Sequence, residues 1–242
     1  MRFALQLYSL RDDTQKNADL TLRRVSEMGY ENVEFAGYYG KSGKEMKELL
    51  DSLNLKAISS HVIYPRFTDN FKEEVELNHA VGNDTIVLPW MKTDTLDEAK
   101  KAAEDIEKMA QAIIREGFKF GYHNHAHEFK PLDGNGTCAM DFIREVPGVK
   151  LQPDVFWLKT AGIDPVEFIN KNSDRLISIH MKEYREDGFN VELGNGILPW
   201  REIMSAAQNA GVDTGIVEQE EYTCEPIKSV EICINNIKKI FG

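Results

Sequence analysis

Short apolar or β-branched runs alternate along the chain with longer amphipathic stretches. Short apolar runs favour strands, and apolar positions repeating every three to four residues favour helices. The pattern predicts strands at 2–8, 32–35, 56–61, 85–88, 118–123, 149–152, 176–181 and 215–217. It predicts helices at 18–28, 42–53, 71–81, 96–115, 138–145, 166–172, 199–210 and 227–240. The chain therefore reads as strand–helix pairs from one end to the other.

Residues at the helix ends agree with these bounds. Gly29 and Gly117 follow the first and the longest helix, where a glycine C-cap is common. Ser42 is a candidate N-cap, with Glu45 at the capping-box position. Pro165 sits where a first helical residue is expected. Local chemistry and hydrophobic pattern thus predict the same helix ends.

Alternation of strands and helices implies a parallel sheet. The 242 residues suit one closed (β/α)8 barrel, which needs roughly 250. No linker or change in composition marks a second domain, so we predict an α/β protein with a single TIM barrel over residues 1–242. No strand–helix turn carries a G-x-G-x-x-G or P-loop pattern, which counts against a dinucleotide or nucleoside triphosphate site.

Composition narrows the partners. The net charge is -11, and an acidic surface repels phosphate backbones, so we expect no nucleic-acid partner. No apolar run approaches the length of about 18 residues that suggests a transmembrane helix, and the first residues do not resemble a signal peptide. Cys138, Cys224 and Cys233 have no ligand-like spacing and suggest free thiols. We therefore expect a cytoplasmic protein with no membrane partner.

Ionisable and aromatic residues gather where the predicted strands end, which is where this fold places catalytic groups. The residues at or just past these ends are Tyr8, Glu34, His61, Trp90, His123, His125, Asp154, His180 and Glu218. Closure of the barrel would bring Asp154, His180 and Glu218 to one rim. Converging carboxylates repel one another unless a proton or a cation compensates them. Imidazole with carboxylates suits Mn²⁺, Mg²⁺ or Co²⁺, and also Zn²⁺.

Five segments make a more specific likeness: YHNHAHEF (122–129), PDVFW (153–157), HMKE (180–183), GNG (194–196) and VEQEE (217–221). In order and spacing, they resemble the xylose isomerase-like barrel superfamily and, within it, the sugar phosphate isomerase/epimerase branch. The resemblance extends over essentially the whole chain. That branch includes sugar isomerases, ketose 3-epimerases, inosose and dehydroshikimate dehydratases, and endonuclease IV. The resemblance implies an enzyme that acts on a small-molecule sugar or polyol.

The resemblance also implies a divalent metal ion held by Glu, Asp, His and Glu. Asp154, His180 and Glu218 match the last three of these ligands. Many relatives carry the first Glu at the end of the fifth strand, where this chain has His123 and His125. Glu128 lies a few residues further on and is the favoured first ligand, with His123 and His125 as the alternatives. Glu128 could instead only hold its loop through a backbone contact.

Roles in a reaction follow from the same resemblance. Isomerisation and epimerisation both begin with removal of a proton next to a carbonyl, and a metal-bound enediolate is then stabilised. The residues assigned to this chemistry are Glu128, Glu218, His123 and Lys182. The residues assigned to substrate binding are Tyr8, Glu34, His61, Trp90, His125 and Trp157. A metal-dependent sugar isomerase or epimerase is therefore the favoured function.

Other functions stay open. A metal, a base and a carbonyl-stabilised carbanion also make a dehydratase or lyase acting on inososes or 3-keto sugars. A barrel that only binds sugar would explain the altered first-ligand position. DNA repair of the endonuclease IV type requires a basic surface, which this acidic chain lacks. The last two loops carry no cluster of basic residues that would bind a phosphate, so we expect an unphosphorylated substrate. A homodimer is a further expectation.

Overall fold

A computed structural model describes residues 1–242. Its strands are β1 (Arg2–Gln6), β2 (Asn32–Phe35), β3 (Lys56–His61), β4 (Thr85–Leu88), β5 (Lys119–His123), β6 (Val149–Gln152), β7 (Ile179–Met181), β8 (Glu183–Tyr184), β9 (Asn190–Val191) and β10 (Thr214–Val217). Eight of them form one parallel sheet in the order β6-β5-β4-β3-β2-β1-β10-β7. Parallel bridges from Leu151 to Leu176 and from Asp154 to His180 link β6 to β7. The sheet is therefore a nearly closed barrel, and the predicted (β/α)8 fold is confirmed.

Helices connect the strands and cover the barrel from outside. They are α1 (Arg11–Glu27), α2 (Gly43–Ser52), α3 (Tyr64–Asp69), α4 (Phe71–Val81), α5 (Leu96–Arg115), α6 (Ala139–Ile143), α7 (Val155–Thr160), α8 (Pro165–Lys171), α9 (Trp200–Asn209) and α10 (Pro226–Phe241). The longest, α5, buries Ala102, Ile106, Met109 and Ile113 at spacings of three and four residues. Each large apolar side chain so buried contributes about 1.5–3 kcal/mol. No helix is long and apolar enough to span a membrane.

Predicted caps agree with the structure. The hydroxyl of Ser42 accepts a hydrogen bond from the backbone N–H of Glu45, and the Glu45 carboxylate accepts one from the backbone N–H of Ser42 at 2.8 Å. Pro165 is the first residue of α8. Gly29 and Gly117 have φ of +96° and +90°, a conformation that other residues rarely adopt. The ends of these helices are thus determined by the residues at those ends.

The first strand and the first helix differ from the prediction. The strand ends at Gln6, because the Gln6 side chain accepts a hydrogen bond from the Tyr8 backbone and starts a short 3-10 helix at Leu7–Leu10. Helix α1 starts at Arg11 instead of residue 18. Asn17 has non-helical φ and ψ of -160° and 89°, so the predicted start falls at a kink inside the helix.

Several short elements were not predicted. These are α3, α7 and the β8–β9 hairpin. The predicted seventh strand, 176–181, is shortened to Ile179–Met181, and Leu176 forms only an isolated bridge. Elements this short carry too few residues for a hydrophobic period to be recognised. The three unpredicted elements, α3, α7 and the β8–β9 hairpin, all follow strands at the carboxyl end of the barrel, next to the candidate site.

Strand register places polar side chains in a layer inside the barrel. Glu34 of β2 pairs in register with Gln6 of β1 and Ser59 of β3. His123 of β5 pairs with Gln152 of β6. All of these side chains are buried. A polar layer therefore lies directly beneath the carboxyl rim.

Candidate active site

Four side chains meet at the carboxyl rim of the barrel. His123 ends β5, Asp154 follows β6, His180 lies in β7, and Glu218 follows β10. Their potential ligand atoms all lie within 4.8 Å of one another, and all four residues are buried. Neighbouring parallel strands bring them together although they are far apart in sequence. The structure thus joins Asp154, His180 and Glu218 as the sequence predicts, with His123 as the fourth member.

Two polar atoms of this cluster have no partner. The Oδ1 atom of Asp154 accepts a hydrogen bond from the Trp157 backbone at 3.0 Å, but its buried Oδ2 accepts none. That oxygen lies 3.9 Å from His123 Nε2, and His123 Nδ1 is also unpartnered. An unpaired buried carboxylate oxygen is costly unless a proton or a cation neutralises it. Two imidazoles and two carboxylates are donors suited to a divalent transition metal, so the residues present fit such an ion.

Burial and neighbouring charges give the carboxylates different affinities for protons. Burial raises the pKa of Asp154 to about 7. Burial also acts to raise the pKa of Glu218, but Lys182 and His180 overcome this and lower it to about 2. Burial acts to lower the pKa of His180, yet Glu34 and Glu218 raise it to about 10. Asp154 is therefore the member of the cluster whose charge is least compensated by the protein.

Glu34 lies beneath this cluster and is wholly buried. Its carboxylate accepts hydrogen bonds from Gln6 Nε2 at 2.7 Å, from Gln152 Nε2 at 2.8 Å and from the Ser59 hydroxyl. It also lies 2.7 Å from His180 Nε2. Burial acts to raise its pKa, but two neighbouring histidines hold it well below the usual value. Of the two roles open to Glu34, binding a substrate hydroxyl or pairing with a neighbouring base, the structure shows the pairing: its oxygens are occupied and one lies against His180.

Glu128 does not join the four-residue cluster. Its carboxylate accepts a 2.7 Å hydrogen bond from the Tyr122 hydroxyl and a 2.8 Å hydrogen bond from the backbone N–H of His125. It belongs to a separate group with His125 and His127. In the structure, Glu128 therefore holds its own loop, the alternative left open by the sequence. His123 is the fourth member of the cluster in its place.

Three histidine rings stand in a row at the rim. The centroid of the His123 ring lies 5.0 Å from that of His61 and 5.1 Å from that of His125. Burial lowers the pKa of His123 well below its usual value and that of His125 to about 3. Both rings are therefore neutral near pH 7. His125 Nδ1 is buried without a hydrogen-bond partner, so its lone pair or its proton is available.

A pocket of about 360 Å³ opens above this row. Its lining residues are Tyr8, Ala36, His61, Ile63, Pro89, Trp90, His123, His125, Glu218 and Glu220. Tyr8 and Trp90 are 44% and 50% exposed, and they form walls of the pocket as the sequence predicts. Trp157 does not line it but packs against His125, with ring centroids 5.3 Å apart. The pocket floor reaches the four-residue cluster through His123 and Glu218.

Lys182 is also placed differently from the expectation. Its side chain is fully buried, and its ammonium lies 2.8 Å from Glu220 and 3.9 Å from Glu218. The same ammonium lies 4.9 Å from the centroid of the Trp157 ring. Lys182 does not line the pocket. It holds two carboxylates in position from behind.

A family model described as xylose isomerase-like TIM barrel matches residues 22–234. The chain belongs to this family. The chain is 23% identical over 240 residues to an inosose dehydratase of Lacticaseibacillus casei, and the alignment covers 80% of this chain and 78% of that one. Membership of the xylose isomerase-like family confirms the resemblance found in the five sequence segments.

Solved structures of the family superpose closely. A sugar phosphate isomerase/epimerase from Parabacteroides distasonis has a TM-score of 0.85 and 26% identity, with 98% of both chains covered. The IolI protein, solved with a bound zinc atom, has a TM-score of 0.77 and 16% identity, with 98% of this chain and 97% of that chain covered. The fold is thus shared with a protein named as an isomerase/epimerase and with a zinc-binding protein.

The sequence did not lead us to predict a role for two acidic residues near the site. Glu220 lines the pocket and pairs with Lys182. Its position two residues after Glu218 could have indicated that it lies on the same rim. Glu183 is buried and accepts hydrogen bonds from the backbone N–H of Gly194 at 2.9 Å and of Leu198 at 3.1 Å. Glu183 therefore fixes the long loop after β7.

Proposed function

We propose that this protein is a divalent-metal-dependent dehydratase that removes a proton next to the carbonyl of a polyol ketone and expels water from the adjacent carbon. One observation supports the proposal: the four-residue cluster, with its unpartnered Asp154 oxygen, meets the floor of a histidine-lined pocket through His123 and Glu218. The names of several curated relatives, inosose dehydratases, agree with this reaction.

The metal would be held by His123, Asp154, His180 and Glu218. Its chemical contribution there would be to polarise the ketone oxygen and stabilise negative charge as the proton leaves. Glu34 keeps the ring of His180 turned towards the cluster by engaging Nε2, so Nδ1 is the nitrogen left for the cluster. Two imidazole donors favour Zn²⁺, Mn²⁺ or Co²⁺ over Mg²⁺, which prefers oxygen ligands.

The histidines on either side of His123 are assigned the proton transfer and the binding of a substrate hydroxyl. His125 is the base, because its ring is neutral and the residue lines the pocket. His61 points its Nε2 at Gln152 Oε1, 2.7 Å away, and Gln152 uses its own amide to donate elsewhere. His61 Nε2 therefore carries the proton of this pair, and Nδ1 is left to accept a hydrogen bond from a substrate hydroxyl. The proton that His125 takes from carbon is then passed to the departing hydroxyl, which leaves as water.

A two-carboxylate epimerase is less well supported by the geometry. That mechanism would require a carboxylate on each face of the substrate, and Glu128, the expected partner of Glu218, is committed to Tyr122 and the His125 backbone. The similarity to the Parabacteroides sugar phosphate isomerase/epimerase keeps an isomerase as the second candidate. An isomerase would use the same metal and base but would return the proton to a neighbouring carbon.

An uncharged substrate suits this pocket. Its lining contains Glu218 and Glu220 but neither Lys nor Arg. A phosphate group would meet two carboxylates and no compensating cation. Tyr8 and Trp90 instead offer flat apolar surfaces to the C–H faces of a sugar or cyclic polyol. An unphosphorylated polyol ketone is therefore the proposed substrate class.

The proposal is tested by incubating the Mn²⁺-loaded protein in D₂O with a panel of inososes, 3-keto sugars and ketoses, followed by NMR. A dehydratase yields an unsaturated product with loss of water, and the reaction stops on chelation. Deuterium appearing in an isomeric product instead would establish the isomerase. Neither product from any member of the panel would contradict both proposals.

A pair of histidine variants tests the assigned base. His125→Gln should lower kcat by about 10²–10⁴, the usual contribution of a general base. His79→Gln is the matched control, since His79 is exposed on α4 and packs only against Phe118, with ring centroids 4.3 Å apart. Equal rates for the two variants would remove His125 from the mechanism.

A further inference from the structure

A second cavity adjoins the candidate active site. It is a groove of about 700 Å³ between α3, the segment after β4 and the first half of α5. Its apolar lining residues are Ile63, Tyr64, Pro65, Trp90, Met91 and Ala102. Two of these, Ile63 and Trp90, also line the active-site pocket. The two cavities therefore share a wall, formed by Ile63 and Trp90.

The shared wall is unusually exposed for apolar side chains. Ile63 is 57% exposed and Trp90 is 50% exposed. Large apolar side chains gathered at the entrance of a polar pocket commonly mark a ligand-binding surface. Other strongly exposed apolar side chains, such as Leu20 on α1 and Ile114 on α5, do not line either cavity. Three of the seven strongly exposed apolar side chains, Tyr8, Ile63 and Trp90, thus line the active-site pocket.

Charged residues at the groove are paired with one another. Lys92 Nζ lies 2.7 Å from Glu98 Oε1, and Lys101 forms an ion pair with Asp105. The Tyr64 hydroxyl donates to Asp105 Oδ2 at 3.2 Å, which fixes the tyrosine ring at the groove. A phosphate or other ionic group would have to break these pairs. An uncharged, apolar ligand would leave them intact.

We propose that this groove binds an apolar, ring-bearing substituent of the substrate, whose polyol part occupies the active-site pocket. The inference rests on the proposed function for the location of the polyol part. It narrows the substrate class from a bare polyol ketone to one that carries an aryl or similarly flat group. Trp90 stands between the two parts, so its indole contacts both the ring substituent and the polyol.

The test uses ¹⁵N-labelled protein titrated with phenol, methyl β-D-glucopyranoside and phenyl β-D-glucopyranoside. Phenol should shift the Trp90 indole signal and the backbone amides of Tyr64 and Lys101. Phenyl β-D-glucopyranoside should bind more tightly than either fragment, because one molecule then engages both cavities. Tyr64→Ala should weaken phenol binding about two- to tenfold, the range for loss of one aromatic contact. Leu20→Ala, which removes an exposed apolar side chain from α1, is the matched control and should change nothing.

Three results would overturn the inference: no shift at Trp90 and Tyr64, equal phenol binding by Tyr64→Ala and the parent, or phenyl glucoside binding no tighter than phenol. A groove covered by a second copy of the chain would give the first result, and Tyr64→Ala would then change the sedimentation coefficient. Phenol binding needs no catalysis. Phenol binding in the groove without turnover of any polyol ketone would support the inference and contradict the proposed dehydratase. Turnover without phenol binding in the groove would support the dehydratase and contradict the inference.

Discussion

The imidazole of His180 is held between two buried carboxylates. Its Nε2 lies 2.7 Å from Glu34 and its Nδ1 lies 3.2 Å from Glu218. Glu34 in turn receives amide and hydroxyl donors from three other strands, its neighbours β1 and β3 and, across the barrel, β6. Removal of one member of a buried, hydrogen-bonded charge pair leaves the other uncompensated. The orientation of His180 therefore depends on Glu34, which is wholly buried.

Substitution of Glu34 tests this dependence. We expect Glu34→Gln to lower the free energy of unfolding by about 3–5 kcal/mol, since it removes the charge from a buried pair. We also expect a 10- to 100-fold loss of Mn²⁺ affinity, about the effect of losing a partner behind a metal ligand. Urea denaturation in chelator and titration calorimetry measure the two effects. Glu104→Gln on the exposed face of α5 is the control, and identical behaviour of the two variants would refute the role of Glu34.

The three unpaired cysteines differ in environment. Burial raises the pKa of the Cys233 thiol to about 12, whereas Cys224 is exposed. We expect Cys224 to react with a thiol reagent at pH 8 in the folded protein and Cys233 to react only after unfolding. Thiol titration with and without denaturant measures this, and Cys224→Ser should remove the reaction of the exposed thiol. Rapid labelling of Cys233 in the folded protein would contradict its placement.

Individual residues also show where sequence reasoning stops. Asp154, His180 and Glu218 could be predicted as a group because each follows an apolar strand of a closed barrel. The choice between Glu128 and His123 could not, since it depends on the loop after β5. That loop turns back so that Glu128 meets Tyr122, a contact that no hydrophobic period encodes. Lys182 and Glu34 were recognised as notable, but their burial became apparent only from the packed barrel.

Among the elements, the loop after β7 shows how short structures support the site. Glu183 accepts hydrogen bonds from the Trp200 indole and from the backbone of Tyr184, Gly194 and Leu198. Gly196 packs so closely that an added Cβ would lie 2.4 Å from the Tyr184 carbonyl oxygen and 2.5 Å from a Glu183 carboxylate oxygen. The GNG segment is therefore required by packing against the β8–β9 hairpin.

This close approach predicts the cost of a methyl group. We expect Gly196→Ala to destabilise the protein by about 1–3 kcal/mol, the usual effect of overpacking a well-filled site. Gly134→Ala is the control, because an added Cβ there would meet nothing within 4 Å. Chemical denaturation compares the two. A Gly196→Ala variant as stable as the parent would show that the loop is looser than described.

Long elements could be predicted from sequence, and short ones could not. Helix α5 carries enough turns for its apolar positions to repeat several times, and its predicted bounds, 96–115, match the structure. Helix α7 has six residues, of which Val155, Phe156 and Leu158 are buried. No helical period can be read from so short a run. The kink at Asn17 likewise hid the first turns of α1 from the pattern.

For the whole molecule, eight strand–helix repeats in 242 residues left few folds other than a closed barrel. The barrel then determines function in outline, since parallel strands deliver their carboxyl ends to one rim. It does not determine the reaction, because proteins similar to this chain are named as a dehydratase and as an isomerase/epimerase. That distinction depends on which side chains border the pocket, and here histidines border it more than carboxylates do.

The central claim is that His123, Asp154, His180 and Glu218 form the metal site, and that Glu128 does not belong to it. The most direct measurement is titration calorimetry of Mn²⁺ into chelator-treated protein, comparing the parent with Asp154→Asn and Glu128→Gln. We predict one ion per chain, with Mn²⁺ affinity lost by more than about tenfold in Asp154→Asn and largely retained in Glu128→Gln. Unchanged binding by Asp154→Asn, or loss of binding only in Glu128→Gln, would contradict the account.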